Sequence, residues 1–362
     1  MPDKKLSIAA IPGDGVGHDV VPVAAEVVRA AAGACGVQVE VTPYNYGVLR
    51  YLEEGKPLPE DVPGLVRELA AKHDAIMFGS AGLDSRQPPA VNCRDLLVGL
   101  RWVLDGYVNL RPAPLLHPSF CPLEKKVPID LVVVRENTEG VMTRLGGNFK
   151  KGTPDEVAIQ EDINTYKGVE RICRYAFEYA RGHGYPKVTM ADKHGSLIHA
   201  HGLWQRVFWA AAEKYPDVQG EHKFIDTLCL ELVQHPDKFG VIVTNNMYGD
   251  ILSDLCAGLV GGVGIAGSGC INPGHVSMFE PVHGTAPDIA LKGIANPFAA
   301  TLAGRIMLDH LGQRKAADLI WEAVRLAVKE GQVTGDLGGK LGTQAVGDYL
   351  CKTVRRLAER AA

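Results

Sequence analysis

The sequence predicts an α/β protein, and three observations carry that reading. Short apolar runs bounded by turn residues recur at 6–11, 75–78, 131–134, 188–190 and 241–243, as buried strands do. Segments of helical period separate or follow several of them, at 19–32, 168–181, 203–214 and 315–330. Each of the last four runs ends in residues able to bind or do chemistry: Ser80, Arg135-Glu136-Asn137, Asp192-Lys193 and Asn245-Asn246. Open α/β sheets place their ligands at the carboxyl ends of strands.

Taken in order, the first strand, 6–11, runs into the sharp turn Pro12-Gly-Asp-Gly-Val-Gly17. The helix after it sets Val20, Val23, Ala24, Val27, Val28 and Ala31 on one face, with Asp19 as its cap and Pro22 in its first turn. A glycine-rich turn between strand and helix reads either as a phosphate cradle or as a plain tight turn; the spacing is not GxGxxG. Domain boundaries are expected near 104–106 and within the glycine-rich stretch 258–274. Residues 1–105 and 262–362 would form one domain and 106–261 an inserted second one, with a cleft at the join. The segment 146–160, rich in glycine and alternating in polarity, reads as an arm or hairpin that pairs with another subunit.

Composition is that of an ordinary globular chain: 362 residues, 46% hydrophobic and 22% charged. A net charge of −4 gives no reason to expect nucleic acid or an anionic membrane as partner. No apolar run approaches the roughly 18 residues of a membrane span, and no signal-peptide pattern stands at the N-terminus. Eight scattered cysteines without CxxC spacing fit reduced thiols in a cytoplasmic protein.

Chemistry concentrates in Val241-Ile-Val-Thr-Asn-Asn-Met-Tyr-Gly-Asp250-Ile-Leu-Ser-Asp254. Asp250 and Asp254 stand four apart, on one face of the helix expected to begin there. Two like charges so placed suit a hard divalent cation; the plainer alternative is that Asp250 caps the helix and Asp254 is solvated. Arg101, Arg111 and Arg135 lie near element ends, and guanidiniums grip carboxylates bidentately. His194, His199 and His201 read as helix-surface or interface histidines, with metal ligation as the alternative.

Asn109-Leu-Arg-Pro, Val134-Arg-Glu-Asn-Thr-Glu-Gly, Gly249-Asp-Ile-Leu-Ser-Asp and Glu280-Pro-Val-His-Gly-Thr-Ala-Pro-Asp288 together resemble the β-decarboxylating dehydrogenases. That family includes isopropylmalate, isocitrate, homoisocitrate and tartrate/D-malate dehydrogenases. The likeness runs from Ile11 to Thr343. It implies an isopropylmalate dehydrogenase-like fold, two α/β domains about a central cleft, with a dinucleotide site that is not a Rossmann site. It implies that Arg101, Arg111 and Arg135 clamp substrate carboxylates, that Asp226, Asp250 and Asp254 hold Mg²⁺ or Mn²⁺, and that Lys193 transfers a proton. Lys193 and Asp226 would reach across from a partner, giving a homodimer with shared sites, or a tetramer built from it. Glu280, His283, Gly284, Thr285, Ala286, Asp288 and Asn296 would contact the dinucleotide. Asp288 matches the NAD-using pattern, because a carboxylate accepts ribose hydroxyls and repels a 2′-phosphate.

Substrate choice is expected from Arg94, Leu97 and Val98, ahead of Arg101. Asp95 and Leu97 stand where isocitrate enzymes carry a serine and an asparagine that touch the third carboxylate. The stretches 152–161 and 168–177 and the polar Ser196 look most like the tartrate/D-malate branch. The expected substrate is therefore a (2R)-2-hydroxy di- or tricarboxylate, with isopropylmalate as the alternative. The sequence departs from the family where it usually has a tyrosine acid: Met142 stands there, and a thioether donates no proton. An oxidation-only enzyme, another donor such as water or Thr143, or a non-catalytic regulatory subunit are the readings this opens. His194-Gly-Ser196 also replaces the usual pattern after the lysine.

Overall fold

The computed structural model describes residues 5–88 and 91–361. The chain opens with β1 (Lys5–Gly13), α1 (Gly17–Ala34), β2 (Gln38–Pro43), α2 (Val48–Glu54), α3 (Val62–Lys72), β3 (Ala75–Ser80) and α4 (Arg94–Val103). It continues with β4 (Val108–Pro114), β5 (Asp130–Glu136), β6 (Gly146–Phe149), β7 (Val157–Gln160), α5 (Tyr166–His183) and β8 (Lys187–Asp192). Then come α6 (Ala200–Ala212), β9 (Gln219–Phe224), α7 (Ile225–Gln234), β10 (Val241–Thr244) and α8 (Asn246–Val260). The last elements are β11 (Gly267–Ile271), β12 (Ser277–Pro281), α9 (Phe298–His310), α10 (Arg314–Lys329) and α11 (Thr343–Ala361).

Two compact units emerge. The first comprises Met1–Gly106, Leu115–Pro122 and Ala257–Ala362; the second comprises Tyr107–Pro114 and Leu123–Cys256. In the first, strands run β2-β1-β3-β12-β11. β1 pairs in parallel with β2 and β3, β12 in parallel with β3, and β11 antiparallel to β12. β3 is buried at every position, as a parallel strand covered on both faces must be. α1 packs against α9 and α11, and α9 is buried over most of its surface, as its largely apolar sequence requires.

The first unit also settles the glycine-rich turn. Asp14 is fully buried there. Its carboxylate accepts the backbone N–H of Val48, Gly82 and Cys93, each at 3.0 Å. Ser80 Oγ donates to the Asp14 carbonyl at 2.6 Å. Gly15 N donates to Asp84 Oδ2 at 2.7 Å and Val16 N to the Thr285 carbonyl at 2.8 Å. A Cβ on Gly15, whose φ is +59°, would fall 2.1 Å from the Thr285 carbonyl oxygen. The turn is thus a tight internal fastening, its donors spent on the chain itself, and the phosphate-cradle reading is not supported. Asp19 does not cap α1 either. The helix starts two residues earlier, at Gly17, and Asp19 Oδ2 instead accepts Leu291 N at 2.7 Å.

In the second unit, strands run β4-β5-β10-β8-β9. β4 is antiparallel to β5; the β5–β10, β10–β8 and β8–β9 pairs are parallel. Phe177 of α5 meets Phe208 of α6 and Tyr215 at 5.4 Å between ring centres, filling the space behind the sheet. β6 and β7 form a separate antiparallel hairpin, all of whose residues are exposed, Phe149 and Ile159 among them. No described helix is long and apolar enough to cross a membrane.

Candidate active site

The second unit carries Arg111 on β4, Arg135 on β5, Lys193 after β8, Asp226 on α7, and Asp250 and Asp254 on α8. Asn245 follows β10, and its Oδ1 accepts Tyr248 N at 2.9 Å, so Asn245 caps α8. This corrects the sequence reading twice. The helix begins at Asn246, ahead of Asp250, and Asp250 is an interior residue rather than the cap. Gly249 also lies inside the helix. A Cβ there would come 2.6 Å from Arg135 Cβ and Cγ, so the tight approach of α8 to β5 demands glycine.

That approach brings two guanidiniums to one carboxylate. Arg135, almost fully buried, pairs Nη1 with Asp250 Oδ1 and donates Nε (2.9 Å) and Nη2 (2.6 Å) to Asn246 Oδ1. Arg111 Nη1 donates to Ser253 Oγ at 2.6 Å and to Asp250 Oδ1 at 3.3 Å; Asp254 Oδ1 lies 3.8 Å away. Arg111 Nε is held by Asn109 Oδ1 at 2.9 Å. Asn246 is named from sequence as a strand-end residue able to bind, though with no partner; Ser253 and Asn109 are given no role there, and their positions three after Asp250 and two before Arg111 are the available signal.

Lys193 and Asp226 form a second cluster. Lys193 Nζ sits 2.7 Å from Asp226 Oδ1, and this ammonium holds the Asp226 carboxyl below its ordinary value. Lys193 N donates to His201 Nδ1 at 2.7 Å. His201 is 1% exposed, so it is no surface histidine: its ring fills the space beneath the Lys193 turn, with Nε2 3.1 Å from Asn245 Nδ2. His194 does not gather with His199 and His201; it meets Asp192 and His222 instead. Asp226, Asp250 and Asp254 do not form one ligand group within the chain among the described residues.

The remaining expected residues lie in the first unit. Arg101 Nη2 pairs with the buried Glu280 at 3.0 Å, joining an expected substrate ligand to an expected cofactor ligand. Leu97 packs on the core of α3, α4 and β3, Val98 beside it is half-buried, and Arg94 is exposed at the helix start. Asn296 donates to Asp336 Oδ2 at 2.9 Å and accepts Phe298 N at 3.0 Å, just ahead of α9. In the loop after β12, His283 Nδ1 lies 2.9 Å from the Gly284 carbonyl, Thr285 is buried, Ala286 holds φ +39° and Asp288 is exposed. Met142 is exposed in the short turn Gly140–Thr143, and Thr143 Oγ1 is engaged with the Gly140 carbonyl at 3.0 Å.

A match to the family described as isocitrate/isopropylmalate dehydrogenase spans residues 7–350. The chain belongs to this family. It is 43% identical over 341 residues to a 3-isopropylmalate dehydrogenase of Corynebacterium kroppenstedtii, covering 93% of this chain and 98% of the relative. It is 40% identical over 363 residues to a D-malate dehydrogenase [decarboxylating] of Escherichia coli K12, covering 98% and 99%. An isocitrate dehydrogenase crystal structure from Methylococcus capsulatus superposes with a TM-score of 0.84 at 36% identity, covering 97% of this chain and 99% of that one. As a member of the family, the chain is an NAD-dependent hydroxy acid dehydrogenase of the decarboxylating kind. Family members use NAD and a divalent metal.

Proposed function

We propose that the protein oxidises a small (2R)-2-hydroxy diacid of the D-malate or tartrate class with NAD, releasing the β-carboxylate as CO₂. The observation that carries this is the convergence of Arg111 and Arg135 on Asp250, with Asp254 on the same helix face. Two fixed guanidiniums suit the carboxylates of such an acid. The donor set of Asp250, Asp254 and Asp226 is all carboxylate oxygen, which fits Mg²⁺ or Mn²⁺. Bound there, the cation would acidify the 2-hydroxyl and steady the negative charge left as CO₂ departs.

The chain's own residues do the rest. Arg111 and Arg135 hold and orient the acid so that its 2-hydroxyl faces the carboxylates. Lys193 Nζ, steered by Asp226, moves the hydroxyl proton. Hydride goes to NAD, so a 2-hydroxy acid and NAD⁺ give a 2-oxo acid, NADH and a proton before decarboxylation. Residues 1–105 and 262–362 are assigned to the dinucleotide, with Asp288 favouring NAD over NADP, and 106–261 to substrate, metal and self-association. Arg94, Leu97 and Val98, on the helix that carries Arg101, are assigned the choice among substrates; their mixed apolar and basic character favours a small diacid. Two copies are proposed to share sites, each lending Lys193 and Asp226 to the other. The pairing of Asp226 with Lys193, apart from Asp250, and the apolar exposed hairpin β6–β7 support that reading.

A second reading stays open because several relatives of comparable identity are 3-isopropylmalate dehydrogenases. Purified protein with Mn²⁺, NAD and a panel of D-malate, tartrates, isopropylmalate and isocitrate decides between them. Turnover fastest with D-malate or tartrate is the expected result. Preference for isopropylmalate moves the assignment to the second reading, and no NADH from any acid leaves a regulatory subunit.

A further inference from the structure

We propose that Asp192, His194 and His222 form a second cation site in this protein, suited to a borderline transition ion such as Zn²⁺ or Co²⁺. The three residues come from different places: Asp192 ends β8, His194 lies in the turn after it, and His222 sits on the neighbouring strand β9. Their donor atoms lie within 4.8 Å of one another, the one grouping of this kind among the described residues. Asp192 Oδ1 is 3.0 Å from His194 Nδ1 and 2.8 Å from His222 Nε2. Tetrahedral zinc with donors at about 2.0–2.1 Å puts neighbouring donors roughly 3.3 Å apart. The two known edges are already close to that, so ligation asks for small side-chain adjustments.

Three further features read as a built site. Asp192 is 1% exposed, and its second oxygen accepts Gln205 Nε2 at 2.7 Å, which turns Oδ1 toward the histidines. Gln205 is itself fixed by Trp209 Nε1, donating to its Oε1 at 3.1 Å. Phe224 stacks on His194 and meets His222 edge-on, fixing both rings.

The metal-free hydrogen bonding is also frustrated. His194 Nδ1 lies 3.0 Å from Asp192 Oδ1, an acceptor, and 3.0 Å from Gln205 Nε2, a donor. One ring nitrogen cannot serve both. A cation taking the Nδ1 lone pair together with Asp192 Oδ1 would replace the Nδ1–Asp192 contact, while Gln205 Nε2 keeps its bond to Asp192 Oδ2 at 2.7 Å. The His194 side chain is 37% exposed, which leaves a path for the ion and room for a water as fourth ligand. Two imidazoles and one carboxylate select Zn²⁺, Co²⁺ or Ni²⁺ over Mg²⁺, so the site differs in chemistry from the all-carboxylate set Asp226, Asp250 and Asp254. Because Lys193 lies between Asp192 and His194, an ion here would pin its backbone on both sides.

The test is Co²⁺ titration of the full-length, chelator-treated protein in saturating Mg²⁺, read by visible absorption. The expected result is one Co²⁺ per chain with bands of tetrahedral strength. His194→Ala and His222→Asn should abolish those bands, Gln205→Leu should weaken binding on the order of 10–100-fold, and Asp250→Asn should leave it intact. His194 is exposed enough for its alanine variant to fold, and circular dichroism checks that. Absent bands in the wild type, or bands that survive His194→Ala, would overturn the site. Bands lost in Asp250→Asn would place the ion at the dehydrogenase site and overturn it equally. An inactive protein that still shows the bands would count against the proposed function alone.

Discussion

Gly249 lies flat against the stem of Arg135: a single added methyl would sit 2.6 Å from Arg135 Cβ. This contact sets the distance between α8 and β5, and with it the reach of the Arg135 guanidinium to Asp250. Gly249→Ala should push helix and arginine apart. Overpacking of this sort costs about 1–3 kcal/mol. The expected outcome is a folded protein whose kcat/KM for its hydroxy acid drops on the order of tenfold or more, read by steady-state NADH formation. Unchanged kinetics would mean that the spacing does not matter.

Arg135 offers a sharper case. Its Nε and Nη2 are committed to Asn246 and its Nη1 to Asp250, so the plane of the guanidinium is fixed. Lysine keeps the charge but not the fork. Arg135→Lys is expected to lose about two orders of magnitude in kcat/KM, roughly 2.7 kcal/mol, with far smaller losses for a carboxylate-free alcohol. Near-wild-type kinetics would remove Arg135 from the substrate clamp.

Met142 stands exposed where a proton donor is expected, and neighbouring Thr143 is held by the Gly140 carbonyl. If nothing replaces the missing acid, NADH should appear faster than the protonated decarboxylation product. Met142→Tyr should close the gap. Equal rates of the two products in both proteins would show that water or another side chain already serves.

His201 gives a pH dependence whose sign follows from its bonds. Burial lowers its pKa from the ordinary 6.5, and Nδ1 accepts the Lys193 N–H, a bond that only the unprotonated nitrogen can make. On acidification the unfolded chain takes up a proton at this histidine before the folded one does. Its stabilising contribution is therefore full above about pH 6.5 and falls below it, by at most about 1.4 kcal/mol per pH unit, until the folded ring titrates. The gap in thermal midpoint between wild type and His201→Gln should narrow from about pH 8 to about pH 5. A constant gap would show that the ring is not held neutral.

Periodicity and strand-end chemistry make the α/β order readable in the sequence, and the motifs around Arg111, Arg135, Asp250 and Glu280 point to the family. What stayed hidden was contact across the chain. Asn245 is a favoured cap residue, but the start of α8 was obscured because Gly249 interrupts the helical pattern for a reason that lies on β5. His222 is 28 residues from His194 and reaches it only through the parallel register of β8 and β9. The glycine-rich turn looked open because its spacing could not report that Asp84 takes the Gly15 amide, that backbone carbonyls take the amides of Asp14 and Val16, or that the Asp14 carboxylate is buried against Val48, Gly82 and Cys93.

Those carboxylates have a kinetic signature. The amides of Gly15, Val48, Gly82 and Cys93 lie outside strands and between turns or at helix starts, where solvent deuterium normally enters within the dead time. Each is tied to Asp14 or Asp84, the latter kept ionised although burial opposes it, because Arg86 and backbone N–H groups outweigh that cost. Native-state exchange should find these four amides as slow as those inside β1 and β3, a patch of loop that opens only when the whole unit does.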